Sequence, residues 1–151
     1  MDLQIKGMKA LMAGGSAGMG RATAERLAEA GVELVITARR KERLEKAATE
    51  ISTKYGVNVT PIVADSSKPA DRARLLQACP DPDILGITIK PPAPNGDFLN
   101  VTPEMWRESI DSALIGPVEL MRQYIPHMKS AGWGRIVNIA TFSAKNPMVW
   151  R

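Results

Sequence analysis

The chain contains one cysteine, Cys79, and one histidine, His127. A single cysteine permits no internal disulfide and no cysteine-based metal cluster, so we predict no metal site and interpret Cys79 as a small buried side chain, not a nucleophile. We interpret His127 as a surface or interface histidine. No stretch reaches the roughly 18 consecutive apolar residues of a membrane span, and the N-terminus lacks the basic and apolar regions of a signal peptide. These absences favour a cytoplasmic protein without a membrane partner.

What is present is the composition of an ordinary globular protein, with 44% hydrophobic and 24% charged residues. A length of 151 residues predicts one domain, residues 1–151, with a sizeable core. The net charge of +4 is compatible with an anionic ligand. Lysine and arginine are spread along the chain, apart from the short run at residues 39–41, which disfavours nucleic-acid binding.

A glycine-rich loop at residues 11–21 connects an apolar run to a helical segment, with Gly14, Gly15, Gly18 and Gly20 between them. A helix N-terminus presents unpaired N–H groups and a partial positive charge, and glycines let a phosphate approach the backbone. The loop therefore predicts phosphate binding. The alternative is a glycine-rich turn without a ligand, because the spacing G-x-x-x-G-x-G departs from the usual dinucleotide spacing.

Apolar periodicity predicts strands that alternate with helices. The predicted strands are residues 8–13, 32–38, 57–64, 83–89 and 135–140. The predicted helices are residues 18–30, 41–55 and 69–79, and a pair between Thr102 and Ser130 that is kinked or divided at Gly116 and Pro117. Ser66 or Ser67 is predicted to cap the third helix, and Thr102 to cap the fourth.

This alternation predicts an α/β fold, a Rossmann-like doubly wound parallel sheet with strand order 3-2-1-4-5 and helices on both faces. Such a fold normally has a sixth strand, and here the sequence ends soon after the fifth. We therefore expect the domain to be incomplete at its C-terminal end, with the tail, a partner subunit or a missing portion covering the fifth strand.

Residues 13–21 are Ala-Gly-Gly-Ser-Ala-Gly-Met-Gly-Arg, which is similar to the T-G-x-x-x-G-I-G signature of the short-chain dehydrogenase/reductase family, with Ala13 in place of threonine. Asp65 resembles the family's adenine-contacting acid, Asp83 begins a similar fourth strand, and residues 134–139, Gly-Arg-Ile-Val-Asn-Ile, match its fifth strand. Within the family, the sequence resembles the 3-oxoacyl-[acyl-carrier-protein] reductase-like members.

The resemblance implies a nicotinamide cofactor, and the second strand indicates which one. That strand ends at Thr37 and Ala38 without an acid, and Arg39 and Arg40 follow. A guanidinium suits the 2′-phosphate, so NADP(H) is favoured over NAD(H), unless the two arginines are only a solvated helix start. The predicted cofactor-binding residues are Gly14, Ser16, Ala17, Gly18, Met19, Gly20, Arg39, Arg40, Asp65 and Ser66.

The resemblance places Thr141 at the position of the family's substrate-binding serine, with Ser143 as a second candidate. Both could instead be ordinary polar residues at a strand end. The position of the relay asparagine holds Ala113, and the N-N-A-G motif is replaced by Ile-Thr-Ile-Lys at residues 87–90. The catalytic tyrosine and lysine of the Y-x-x-x-K motif should follow Thr141 by a dozen or so residues. They are absent from these 151 residues, so we expect a chain truncated before that motif.

Two functions remain open. The first is an NADP(H)-dependent oxidoreductase acting on a small-molecule or acyl-thioester carbonyl, or on the corresponding alcohol. The second is a catalytically impaired NAD(P)-binding or assembly protein. The resemblance also implies a homo-oligomer formed through the helices between Thr102 and Ser130, whereas simple packing against the sheet is the alternative. The apolar residues in question are Met105, Trp106, Leu114, Val118, Met121, Ile125 and Met128.

Overall fold

The computed structural model describes residues 3–89 and 98–140. Its strands are β1 (Lys9–Ala13), β2 (Glu33–Ala38), β3 (Val59–Val63), β4 (Ile84–Ile87) and β5 (Arg135–Asn138). Its α-helices are α1 (Gly18–Glu29), α2 (Lys41–Tyr55), α3 (Pro69–Ala78), α4 (Pro103–Ile110) and α5 (Gly116–Ser130). A short 3-10 turn at Phe98–Asn100 precedes α4.

The strands form one parallel sheet in the order β3-β2-β1-β4-β5. In the register, Leu11 of β1 lies opposite Val35 of β2 on one side and Leu85 of β4 on the other. β1 and β4 are buried along nearly their whole length, as expected for central strands covered on both faces. The predicted doubly wound fold and strand order are confirmed.

Two apolar clusters cover the two faces of the sheet. One contains Ala24 of α1, Leu44 and Ile51 of α2, and the side chains of Met12 and Ile36. The other contains residues of α3 and α5, with the opposite-facing strand residues; its members include Leu75, Cys79, Leu120, Tyr124, Leu11 and Leu85. The prediction that Cys79 is buried is confirmed, since only 1% of it is exposed.

The predicted cap of α3 is wrong. The residue that precedes the helix is Lys68, whose side chain makes no capping hydrogen bond. Pro69 occupies the first turn and has no N–H to cap. The Ser67 hydroxyl instead donates to Asp65 Oδ1 at 2.7 Å, and Ser66 is nearly buried. The Thr102 cap of α4 is confirmed, because its hydroxyl oxygen accepts from the N–H of Met105 at 3.3 Å.

The predicted division between α4 and α5 takes the form of a wide π turn at Asp111–Ile115. The N–H of Gly116 donates to the carbonyl of Asp111, five residues earlier, and the backbone stays helical throughout. Pro117 follows and has no N–H to contribute to regular α-helical bonding. The break lies where the Gly-Pro pair predicts it, but it widens the helix without ending it.

Packing against the sheet accounts for two of the seven apolar side chains singled out between Thr102 and Ser130. The structure confirms burial of Met128 and partial burial of Met121, and leaves the other five exposed. The exposed residues are Met105, Trp106, Leu114, Val118 and Ile125. No residue of α4 is buried within the described chain.

None of the helices among residues 3–89 and 98–140 is both long enough and apolar enough to cross a membrane.

Candidate functional site

A cleft of about 610 Å³ opens at the carboxyl edge of the sheet, where β1, β2, β3 and β4 end. All ten residues predicted to bind a cofactor line it. The further lining residues are Thr37, Ala38, Arg43, Ala64, Thr88, Ile89 and Ser112. The fold thus brings together residues that the sequence places as far apart as Gly14 and Ser66.

The loop after β1 is held by β2. The N–H groups of Gly14 and Gly15 both donate to the carbonyl of Thr37, each at 3.0 Å. Gly14 has φ of 95°, in the left-handed region that favours glycine. The N–H of Gly14 is therefore bonded within the protein and not available to a ligand. Gly14 contributes to the cleft by allowing the tight turn.

The N-terminus of α1 faces this cleft without a cap. Ala17 precedes the helix and supplies no side-chain hydrogen bond, and the first turn contains no acidic residue. The N–H of Arg21 donates to the carbonyl of Ala17, so helical bonding begins there. The N–H groups of Gly18, Met19 and Gly20 have no partner in the described part of the chain. With the helix dipole, these donors suit an anion.

Three guanidinium groups lie beyond the end of β2. Arg39, Arg40 and Arg43 are exposed, line the cleft and form no ion pair with a carboxylate of the described residues. Arg21 differs, because it bonds Glu25 at 2.9 Å and Glu50 at 2.7 Å, which raise its pKa. Arg43 was not among the predicted residues, although its place in the first turn of α2, three residues after Arg40, could have indicated it.

Asp65 lies just beyond β3 in a tightly bonded turn. Its Oδ1 accepts from the N–H and the hydroxyl of Ser67, at 3.0 and 2.7 Å. Its own N–H donates to Asp71 Oδ2 at 2.7 Å, and this bond, followed by the ion pair with Arg74, lowers the pKa of Asp71. The second carboxylate oxygen of Asp65 has no hydrogen bond within residues 3–89 and 98–140, and is available to a ligand.

Besides Thr37 and Arg43, two further polar residues of the cleft were not predicted, Thr88 and Ser112. Thr88 follows β4 and its hydroxyl reaches the carbonyls of Ala13 and Gly14. Ser112 lies in the wide turn and is 7% exposed, whereas the adjacent Ala113 is exposed and does not line the cleft. No sequence signal indicated Ser112, because its placement depends on the π turn.

Thr141 and Ser143 lie outside the described residues, so their predicted contact with substrate stays a prediction. β5 leads toward the same edge of the sheet, and the N–H of Ile139 donates to the carbonyl of Ile87 at 2.9 Å.

A parallel sheet in this order, with a glycine-rich loop and an open helix N-terminus at its carboxyl edge, defines the Rossmann class of nucleotide-binding domains. The family model described as short chain dehydrogenase matches residues 8–151, and the chain belongs to that family. The match does not favour the alternative of an impaired binding or assembly protein.

Curated relatives include an uncharacterized oxidoreductase, YvaG, of Bacillus subtilis and the 3-oxoacyl-[acyl-carrier-protein] reductase FabG of Aquifex aeolicus. Identity to YvaG is 30%, covering 97% of this chain and 56% of YvaG. Identity to FabG is 32%, covering 93% of this chain and 58% of FabG. The chain thus spans little more than half the length of these relatives.

Two solved structures also match nearly the whole of this chain with little more than half of their own length. An L-sorbose reductase from Gluconobacter frateurii, complexed with NADPH and L-sorbose, matches with a TM-score of 0.89 and 30% identity, over 98% of this chain and 57% of that one. A short-chain dehydrogenase from Sphingobium yanoikuyae in complex with NADPH matches with a TM-score of 0.86 and 31% identity, over 93% and 56%.

Proposed function

We propose that this chain binds NADP(H) in the cleft as part of an oxidoreductase that acts on a carbonyl or alcohol substrate. The observation that carries the proposal is the convergence of unpaired N–H groups and unpaired guanidinium groups on one cleft. The family match and the two NADPH complexes among its structural relatives support the same conclusion. NADPH supplies a hydride to a carbonyl carbon, and NADP⁺ accepts one from an alcohol carbon.

The residues of the cleft fit the parts of this cofactor. The N–H groups of Gly18, Met19 and Gly20 would hold the pyrophosphate, because no residue described in the structure uses them. A side chain at Gly20 would fill the cradle, since a Cβ there would lie 2.2 Å from the carbonyl oxygen of Gly14. Asp65 would accept a hydrogen bond from the adenine amino group through its second carboxylate oxygen.

Arg39, Arg40 and Arg43 favour NADP(H) over NAD(H). A 2′-phosphate placed among three guanidinium groups would receive bidentate hydrogen bonds between opposite charges, whereas the 2′-hydroxyl of NAD(H) has no negative charge for them to pair with. The described residues place no carboxylate against these arginines to compete for them.

Separate fluorescence titrations of the 151-residue chain with NADPH and NADH test the proposal. Arg39→Ala is expected to weaken NADPH binding about tenfold, through loss of a charged hydrogen bond, and to leave NADH binding unchanged. Arg26→Ala is the matched control, because Arg26 is exposed on α1, pairs with Glu29 and does not line the cleft. Failure of both nucleotides to bind would overturn the proposal, and equal losses for NADPH and NADH would overturn the role of Arg39.

The substrate class and the assembly extend the same proposal. Thr141, with Ser143 as the second candidate, would donate a hydrogen bond to the substrate oxygen, and an acyl thioester is one carbonyl substrate compatible with the similarity to FabG. The exposed apolar face of α4 and α5 would pair with a second copy of the chain. A cytoplasmic location stays a prediction.

A further inference from the structure

We propose that Thr88 is a positioning residue of the cofactor loop. Its hydroxyl fixes the loop after β1 against the first turn of α1, and so aims the unpaired N–H groups at the phosphate. This inference rests on the proposed function for its effect on NADP(H) binding, but not for its effect on the loop.

Thr88 joins the loop to β4 through both its backbone and its side chain. Its N–H donates to the carbonyl of Ala13 at 2.9 Å. Its hydroxyl lies 3.1 Å from that same carbonyl and 3.3 Å from the carbonyl of Gly14. One hydroxyl proton is therefore shared between two successive carbonyls at the point where strand becomes loop. Ala13 itself has no polar side chain to do this.

The Thr88 hydroxyl also occupies the space between the loop and the helix. A Cβ at Gly14 would lie 2.8 Å from Thr88 Oγ1, and a Cβ at Gly20 would lie 2.2 Å from it. Loop, helix and Thr88 are thus in contact at one point, where only glycine fits on both sides. The hydroxyl oxygen lies at this point, within hydrogen-bond distance of the carbonyls of Ala13 and Gly14.

The loop is consequently held from both neighbouring strands. Thr37 at the end of β2 accepts the N–H groups of Gly14 and Gly15, and Thr88 beyond β4 donates to the carbonyls of Ala13 and Gly14. Gly14 is thus held through its N–H group by Thr37 and through its carbonyl by Thr88. The loop therefore already has its direction toward Gly18 before a ligand binds. Such preorganisation raises affinity, because less backbone entropy is lost on binding.

Thr88→Val tests the inference, because it keeps the shape of the side chain and removes the hydroxyl. Amide hydrogen exchange of the nucleotide-free chain is expected to accelerate at least twofold at Gly14 and Gly15, whose N–H groups are bonded to Thr37. NADPH binding is expected to weaken about fivefold, the effect of one ordinary hydrogen bond. Thr88→Ser, which restores the hydroxyl, is expected to recover most of both losses. Thr49→Val is the matched control, because the Thr49 hydroxyl donates to the carbonyl of Glu45 on the exposed side of α2.

Unchanged exchange at Gly14 and Gly15 in Thr88→Val would overturn the inference, as would equal losses in Thr88→Val and Thr88→Ser. If the wild-type chain binds neither nucleotide, the proposed function fails, whereas the exchange measurement still decides the role of Thr88. If Thr88→Val does not fold, Thr88→Cys carries the comparison, since a thiol is similar in size and a much weaker donor.

Discussion

The side chain of Gly20 is a single hydrogen atom, and both the packing of the cleft loop and ligand binding require a side chain this small. We expect Gly20→Ala to weaken NADPH binding more than tenfold, because the added Cβ would lie 2.2 Å from both the Gly14 carbonyl oxygen and Thr88 Oγ1, and the loop must move to admit it. Fluorescence titration measures the loss. The expected loss is larger than the roughly fivefold effect expected for Thr88→Val, because the added Cβ displaces the loop itself.

Gly132→Ala is the control for this substitution. Gly132 has φ of 68° with open space around its Cα, so alanine there costs about 1 kcal/mol of backbone strain without a steric contact. It should lower the free energy of unfolding and leave NADPH affinity intact. Similar affinities for Gly20→Ala and the wild type would show that the loop is not the binding site.

Cys79 gives a prediction about pH. Burial raises the pKa of its thiol from 9.0 to about 11, so the folded chain keeps a proton that the unfolded chain releases. This contribution to stability is complete below pH 9 and is lost as the pH rises to 11, by about 2 kcal/mol. Urea unfolding at pH 8 to 11 should show a smaller decline for Cys79→Ala than for the wild type. Parallel curves would contradict the assignment. Burial raises the pKa of Tyr124 in the same cluster, and that effect is common to both proteins.

At the scale of elements, α4 depends on its own caps more than on packing. None of its residues is buried in the described part of the chain, so the Thr102 cap and Pro103 in the first turn stabilise its N-terminus locally. We expect Thr102→Ala to cost this helix about 1 kcal/mol, which accelerates amide exchange at Met105 about fivefold. Thr102→Ser keeps the acceptor oxygen and should exchange as the wild type does. Equal exchange in all three proteins would show that the cap contributes nothing.

Sequence patterns predicted the bounds of some elements accurately and failed for particular caps and side chains. Apolar periodicity and the glycines predicted β1, α1 and β2 to within a residue or two, because these signals are local. The serine cap of α3 failed for a reason that is not local. The Ser67 hydroxyl had a better acceptor in Asp65, whose carboxylate is brought to it by the turn after β3. Ser112 was missed because the widened turn before Gly116 directs it into the cleft.

At the scale of the whole molecule, the exposed face of α4 and α5 predicts self-association. Trp106 is 50% exposed and Leu114 is 57% exposed, which is a large apolar load for a surface in water. We expect Trp106→Glu to shift the chain toward monomer in sedimentation velocity, since a buried unpaired carboxylate opposes the interface. Val63→Glu is the control, because Val63 is an exposed apolar residue on β3, the edge strand farthest from β5. A wild-type chain that sediments as a monomer would contradict the prediction.

The sequence by itself determined the α/β class, the strand order and the ten residues that were expected to bind a cofactor, and all ten line one cleft. It could do so because a glycine loop, a helix start and the residues that end neighbouring strands are local signals, and parallel strands bring their carboxyl ends to one edge. Tertiary structure alone decided that Ser112 lines the cleft and that the Thr88 hydroxyl meets the carbonyls of Ala13 and Gly14. These placements depend on the widened turn before Gly116 and on hydrogen bonds between residues up to 75 positions apart, for which no pattern along the chain is a guide.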